Sequence, residues 1–163
     1  MAEAVGCATV PFNMSKWLKR VGGFCVLGAV AIQFFNPAHV NPPVAPGRDV
    51  MAGNAPPPAV AALLKNACYN CHSYQTDWPW YSHVAPVSWW VAGHVNDARE
   101  AMNFSDWPQD DPARARKRWR RVADAVESGE MPLPSYTWMH REARLTPAQR
   151  QQLTQWAQEA ANK

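Results

Sequence analysis

Fifteen prolines in 163 residues constrain this chain more than any other feature. Each proline fixes φ and removes a backbone donor, so clusters of them cannot sit inside a long helix or a regular sheet. The chain is therefore divided into short segments. Within those segments apolar residues recur at helical spacing, and no stretch alternates with period two for long enough to make a strand. The expected fold class is all-α: a small domain of short helices with long ordered loops, preceded by an N-terminal membrane-anchor or signal helix. At this length one ordinary domain plus an appendage fits, and a multidomain enzyme does not. Apolar residues at 47% can fill a core, and charged residues at 18% are too few for a disordered chain.

The appendage lies at the N-terminus. Lys16, Lys19 and Arg20 precede an uncharged run over 21–35 in which Gln33 is the one strongly polar residue. A basic flank followed by an apolar run is a topogenic signal, and the positive flank stays in the cytoplasm while the remainder is exported. As a helix the run rises about 22 Å against a hydrocarbon core of roughly 30 Å, short for a span unless Trp17 and Leu18 join it. Ala29-Val30-Ala31 is a small-residue pattern open to cleavage, but Ile32, Phe34 and Phe35 follow it, which favours an uncleaved anchor. The residues before Met14 read as an extension. The division expected is 1–36 as anchor or signal, 37–57 as a Pro-rich linker, and 58–163 as the folded domain. The net charge of +3 is largely set by the basic flank, leaving the remainder nearly neutral and predicting no nucleic-acid partner.

Four helices are legible in the domain. Val60, Leu63, Leu64 and Ala67 share one face and run into Cys68-Tyr69-Asn70-Cys71-His72. A second helix from Pro86 to about Asn103 carries a stripe of Val87, Trp90, Val91, His94, Ala98, Ala101 and Met102. In the third, Asp111 caps, Pro112 fits the first turn, Trp119, Val122, Ala123 and Val126 make the apolar face, and Gly129 closes. The fourth starts at the Thr146 cap, with Leu153 and Trp156 facing inward.

Cys68-x-x-Cys71-His72 carries the chemistry. Two thiols three residues apart near a helical turn can both reach the vinyl groups along one porphyrin edge, and the adjacent imidazole can turn to the iron, the pattern of c-type haem attachment. A low-spin electron-transfer haem then needs a second axial ligand. Met131, in a loop between Gly129-Glu130 and Pro132-Leu133-Pro134, is the first candidate, with Met139 and His140 close behind. His94 reads as a core histidine, His83 as a surface loop residue, and His39 as part of the linker. Other readings of the pair are a dithiol redox centre, which usually follows a strand, a zinc site, for which a second close ligand pair is missing, and a plain disulfide.

Arg114, Lys117, Arg118 and Arg121 fall on one exposed helical face, a solvated surface or a docking patch for an acidic redox partner or anionic lipid. Trp78, Trp80, Trp89, Trp90, Trp107 and Trp138 are expected in the core and along the porphyrin wall.

Several of these segments together resemble a known family. Cys68-Tyr69-Asn70-Cys71-His72-Ser73, Thr76-x-Trp78-Pro79-Trp80-Tyr81-Ser82, Ala85-Pro86-Val87-Ser88-Trp89-Trp90, Asn103-Phe104-Ser105-x-Trp107 and Gly129-x-Met131-Pro132, with Tyr136, His140 and Ala143-x-Leu145-Thr146, are similar to the bacterial haem-binding domain family related to c-type cytochromes. The resemblance covers about residues 30 to 160. It implies a small, mostly helical, membrane-tethered monohaem domain facing the periplasm, with one covalently attached haem c. On that reading Cys68 and Cys71 attach the porphyrin, His72 is the proximal ligand and Met131 the distal one, though the likeness brings His140 along with Met131. The expected role is electron transfer with an unidentified redox partner protein, not enzymatic turnover. The rival is a haem-based sensor or peroxidase-like enzyme with a labile sixth ligand.

Overall fold

The computed structural model describes residues 14–163 and is all-helical, with no strand among the described residues. The 1–13 extension and Cys7 lie outside the described residues. Helix α1 (Met14–Ile32) continues into a 3-10 turn over Gln33–Phe35, and none of its residues is buried. Met14–Phe35 is the one stretch among the described residues long and apolar enough to cross a membrane.

The core is built where α6 (Pro112–Glu127) lies along α8 (Pro147–Ala161) and α3 (Pro58–Leu64) packs against α8. Helix α6 starts as its sequence dictates: the Asp111 carboxylate accepts from the Arg114 amide, and Pro112 occupies the first turn. Trp119, Val122, Ala123 and Val126 are its buried face, and Gly129 at φ +80° turns the chain out of the helix. Helix α8 begins with a capping box, Thr146 and Gln149 each satisfying the other's backbone amide, and buries Leu153, Ala157 and Ala161. Trp119 is the centre. Its ring lies 4.5 Å from Trp107 and 4.8 Å edge-on to Trp156, and its indole N–H donates to Asn54 Oδ1 at 3.2 Å. Burying an aromatic of this size is worth roughly 5 kcal/mol before entropy costs.

The segment over 37–57 was expected as a linker, and here the structure corrects the sequence reading. It is extended but strapped to the domain. Val50, in the short helix α2 (Val50–Asn54), is 1% exposed inside the core cluster, its amide bonded to Phe104 O at 2.8 Å. Arg48 pairs with Asp106 and Asp110, and the Trp107 amide donates to Arg48 O. Asn41 donates to Thr76 O at 2.8 Å, while Arg99 reaches Val40 O and Asn41 Oδ1, both at 2.9 Å. Prolines suit such a strap, because a chain that docks through side chains and scattered amides has little use for a continuous donor ladder.

The first helical run of the domain is continuous from Pro58 to His72. After α3 it widens into a π-helical turn, Lys65–Tyr69, and tightens again into α4 (Asn70–His72). Helix α5 (Val87–Ala101) packs on α4 and on the 3-10 turn Trp80–His83. The short α7 (Pro134–Met139) and the 3-10 turn Arg141–Ala143 lead into α8.

Candidate functional site

Cys68 sits in the π turn and Cys71 in α4, so the widened turn ends inside the Cys-x-x-Cys spacing. The sulfurs are not joined to each other. Burial pushes the Cys68 thiol up to about 12, with the nearby Cys71 adding to the effect, and burial likewise raises Cys71. Both are therefore neutral thiols at physiological pH, which disfavours a low-pKa dithiol redox centre.

His72 is positioned by backbone. Its Nδ1 lies 3.0 Å from Ala98 O and 3.0 Å from Met102 O, two carbonyls at the C-terminal end of α5. Both partners are acceptors, so Nδ1 carries the proton and Nε2 keeps its lone pair. Burial lowers the His72 pKa, favouring the neutral ring, while the two carbonyls act in the opposite sense. Phe104, whose amide donates to His72 O at 2.7 Å, packs its ring 6.1 Å from the imidazole. A neutral imidazole with one nitrogen fixed to carbonyls and the other free is able to coordinate a metal ion.

The structure brings His72 and Met131 to one cavity, walled also by Cys71, His94, Ala98 and Leu133. Met131 is half-buried on the loop after α6. Its amide donates to Ala125 O at 3.0 Å, and its carbonyl accepts from Arg150 at 3.4 Å, the same guanidinium that bonds Val126 O. An adjoining cavity shares Cys71, His94, Leu133 and Tyr136 and extends to Trp78, Tyr81, Trp90 and His140. Both are almost wholly apolar in their walls, as a porphyrin requires.

His140 lies in the second cavity with both ring nitrogens engaged. Nε2 is 2.8 Å from the Tyr81 hydroxyl and Nδ1 is 3.1 Å from Glu142 Oε1, and the ring stacks on Tyr136 at 4.2 Å. Ligation through either nitrogen would cost one of these bonds. Met139 is half exposed beside it. His94 is not the core histidine expected from its stripe: it is half-buried, faces both cavities, and bonds Trp90 O at 2.9 Å. Most of that stripe, including Trp90, Val91 and Ala98, walls the cavities, while the face of α5 buried in protein is Ser88, Ala92 and Val95.

The tryptophans divide likewise. Trp107 is core, Trp78 is cavity wall, and Trp90 lines the same cavity while half exposed, but Trp80, Trp89 and Trp138 are exposed and correct the expectation for those three. On α6, Arg114, Lys117 and Arg121 face solvent, whereas Arg118 leaves the basic face to donate to Asp106 O and lie over Trp107.

Two positioning residues escaped the sequence reading. Asn70, between the cysteines, donates to the Tyr136 hydroxyl at 2.8 Å and accepts from the Asp77 amide at 3.0 Å, tying the motif to α7. Arg99 donates to Ser73 O at 2.8 Å and to Thr76 Oγ1 at 2.9 Å, fastening the chain just after His72. The composition of the inter-cysteine pair was the available signal for Asn70; nothing local marks Arg99.

Across known proteins, no curated relative and no solved structure matches this chain. A family model described as a haem-binding domain matches residues 27–159, a span that includes every residue of the site and the strap as well as the end of α1. The chain belongs to the haem-binding domain family, which supports haem as its cofactor.

Proposed function

We propose that this protein is a membrane-tethered, periplasmic electron carrier holding one haem c covalently. The observation that carries the reading is the His72 imidazole, its Nδ1 proton committed to Ala98 O and Met102 O and its Nε2 left for iron, in the cavity that Met131 also lines. Cys68 and Cys71 would hold the porphyrin as thioethers, each sulfhydryl adding across one vinyl group. Their high pKa fits a role as tethers that need no standing thiolate. The bound haem would supply a one-electron couple, and a thioether ligand sets that couple higher than a second imidazole would. Everything else the chain does here is placement: α5 holds the proximal ring, Arg150 holds the Met131 loop, and Trp78, Trp90 and Leu133 exclude water.

Met131 is favoured over His140 because it lines the His72 cavity, while His140 is held by Tyr81 and Glu142. Separate Met131→Ala and His140→Ala variants of the haem-loaded protein test this by spin state. Met131→Ala is expected to turn the iron high-spin and His140→Ala to leave it low-spin; the reverse pattern overturns the assignment. The Tyr81–His140–Glu142 chain favours a second reading, peroxidase-like turnover, since it places a proton-transferring pair on the cavity. That reading requires a wild-type iron that binds small exogenous ligands without displacing Met131.

A further inference from the structure

The root of α1 is not a flexible tether. Gln33 grips Ala85 through both backbone groups, its side-chain amide donating to Ala85 O at 3.0 Å and its oxygen accepting the Ala85 amide at 2.9 Å. Asn36 donates to His83 O at 3.3 Å and accepts from the Ser88 hydroxyl, and the Trp89 indole donates to Phe35 O at 2.8 Å. The apolar helix therefore leaves the body at a fixed place, beside the first turn of α5.

Around that place lies a collar of exposed apolar side chains. Phe34 is 83% exposed, Phe35 75%, Val84 44%, Val87 42% and Trp89 42%. Trp89 has its one polar atom satisfied by Phe35 O, which leaves the ring face outward with no unmet donor.

Length decides how near a bilayer comes to this collar. Met14–Phe35 holds 22 residues, and a helix of that length rises about 33 Å against a hydrocarbon core of roughly 30 Å. Lys16, Lys19 and Arg20 take up the far end. No turn is left over to lift the body away, and the strap that might have served as a spacer is bound to the domain instead.

We infer that the domain rests directly on the membrane surface, with Val84, Val87 and Trp89 seated in the lipid interface around the root of α1. The occupant of the collar is lipid: tryptophan beside aliphatic side chains, without basic residues among them, is the composition of an interfacial belt and not of a headgroup-binding patch. This rests on α1 spanning the bilayer, one part of the function proposed above.

The test is photocrosslinking of the full haem-loaded chain in phosphatidylcholine liposomes, with benzoylphenylalanine placed singly at Phe24, Val87, Trp89 or Gln155. Phe24 is within the span, and Gln155 is exposed on α8, which packs on α6 and α3. Lipid adducts are expected at 24, 87 and 89 and not at 155. Adducts at 24 alone overturn the seating and leave the span intact. Adducts at none of the four overturn the span and the seating with it. Haem absorbance confirms that each exposed-site variant is folded. A Gln33→Ala/Asn36→Ala pair, which loosens the root, should lower the yield at 87 while that at 24 stays; an unchanged yield at 87 shows that the fixed root is not what holds the collar down.

Discussion

Arg99 offers the sharpest test of how the motif is held. Its guanidinium makes four hydrogen bonds, to Ser73 O, Val40 O, Asn41 Oδ1 and Thr76 Oγ1, and lies 5.4 Å from the Tyr74 ring. One side chain thus fastens α5, the strap and the chain after His72. In Arg99→Met the aliphatic stem stays and the fork is lost. Val40 O and Asn41 Oδ1 are exposed and regain water, so their loss costs little. Ser73 is 0% exposed and Thr76 7%, and what remains between them is the long 3.5 Å bond from the Thr76 hydroxyl to Ser73 O, so both acceptors stay dry and poorly met, at about 1–2 kcal/mol each. The expected destabilisation is about 2–4 kcal/mol. For a domain of this size that lowers Tm on the order of 5–15 °C. Thermal unfolding of the haem-loaded chain in mild detergent, followed by far-ultraviolet circular dichroism, reads it. Arg48→Met, which loses only the exposed ion pairs to Asp106 and Asp110, should cost well under half as much. An Arg99→Met shift no larger than that of Arg48→Met would refute the argument from dry acceptors.

Other outcomes follow from the same geometry. Trp119→Ala should destabilise by about 3–5 kcal/mol in the same unfolding assay, because its cavity opens at the junction of α3, α6 and α8. Arg150→Met frees the Met131 and Val126 carbonyls and should raise the high-spin fraction in the optical spectrum while the haem stays attached. His39, tilted against Trp78 at 4.4 Å and edge-on to His83 at 4.3 Å, has its pKa lowered by burial and then by His83. The unfolded chain therefore binds a proton there before the folded one does, so stability is kept above the usual histidine range and lost as pH falls through it. His39→Phe should flatten this acid loss in unfolding midpoints taken across that range.

Much of the helical frame was legible because it is written locally. Asp111 with Pro112, Thr146 with Gln149, and Gly129 mark their helix ends through contacts within three or four residues. The burial of Trp119 and Leu153 follows from spacing alone. What periodicity could not show is the nature of the partner. Trp90, His94 and Ala98 make a valid apolar stripe, yet that stripe faces a cavity, and the buried face of α5 is the blander Ser88, Ala92 and Val95. The strap was misjudged for a related reason. Its docking is carried by Arg99, Arg48 and the Val50 amide, whose partners lie more than 50 residues away and leave no local pattern. The motif around His72 was readable from five residues, but the carbonyls that orient the ring belong to a helix 26 residues on. That is also why Met131 and His140 could not be separated by sequence: the bonds of His140 to Tyr81 and Glu142 exist only in the fold.

The central claim, that Cys68 and Cys71 carry the porphyrin beside His72, meets its most direct test in the intact mass of chain matured in a host able to attach haem c. A single species heavier than the polypeptide by one haem is expected, still coloured after denaturation, with the mass gain lost in the Cys68→Ala/Cys71→Ala variant. A colourless chain of polypeptide mass, with both thiols open to alkylation, would contradict it.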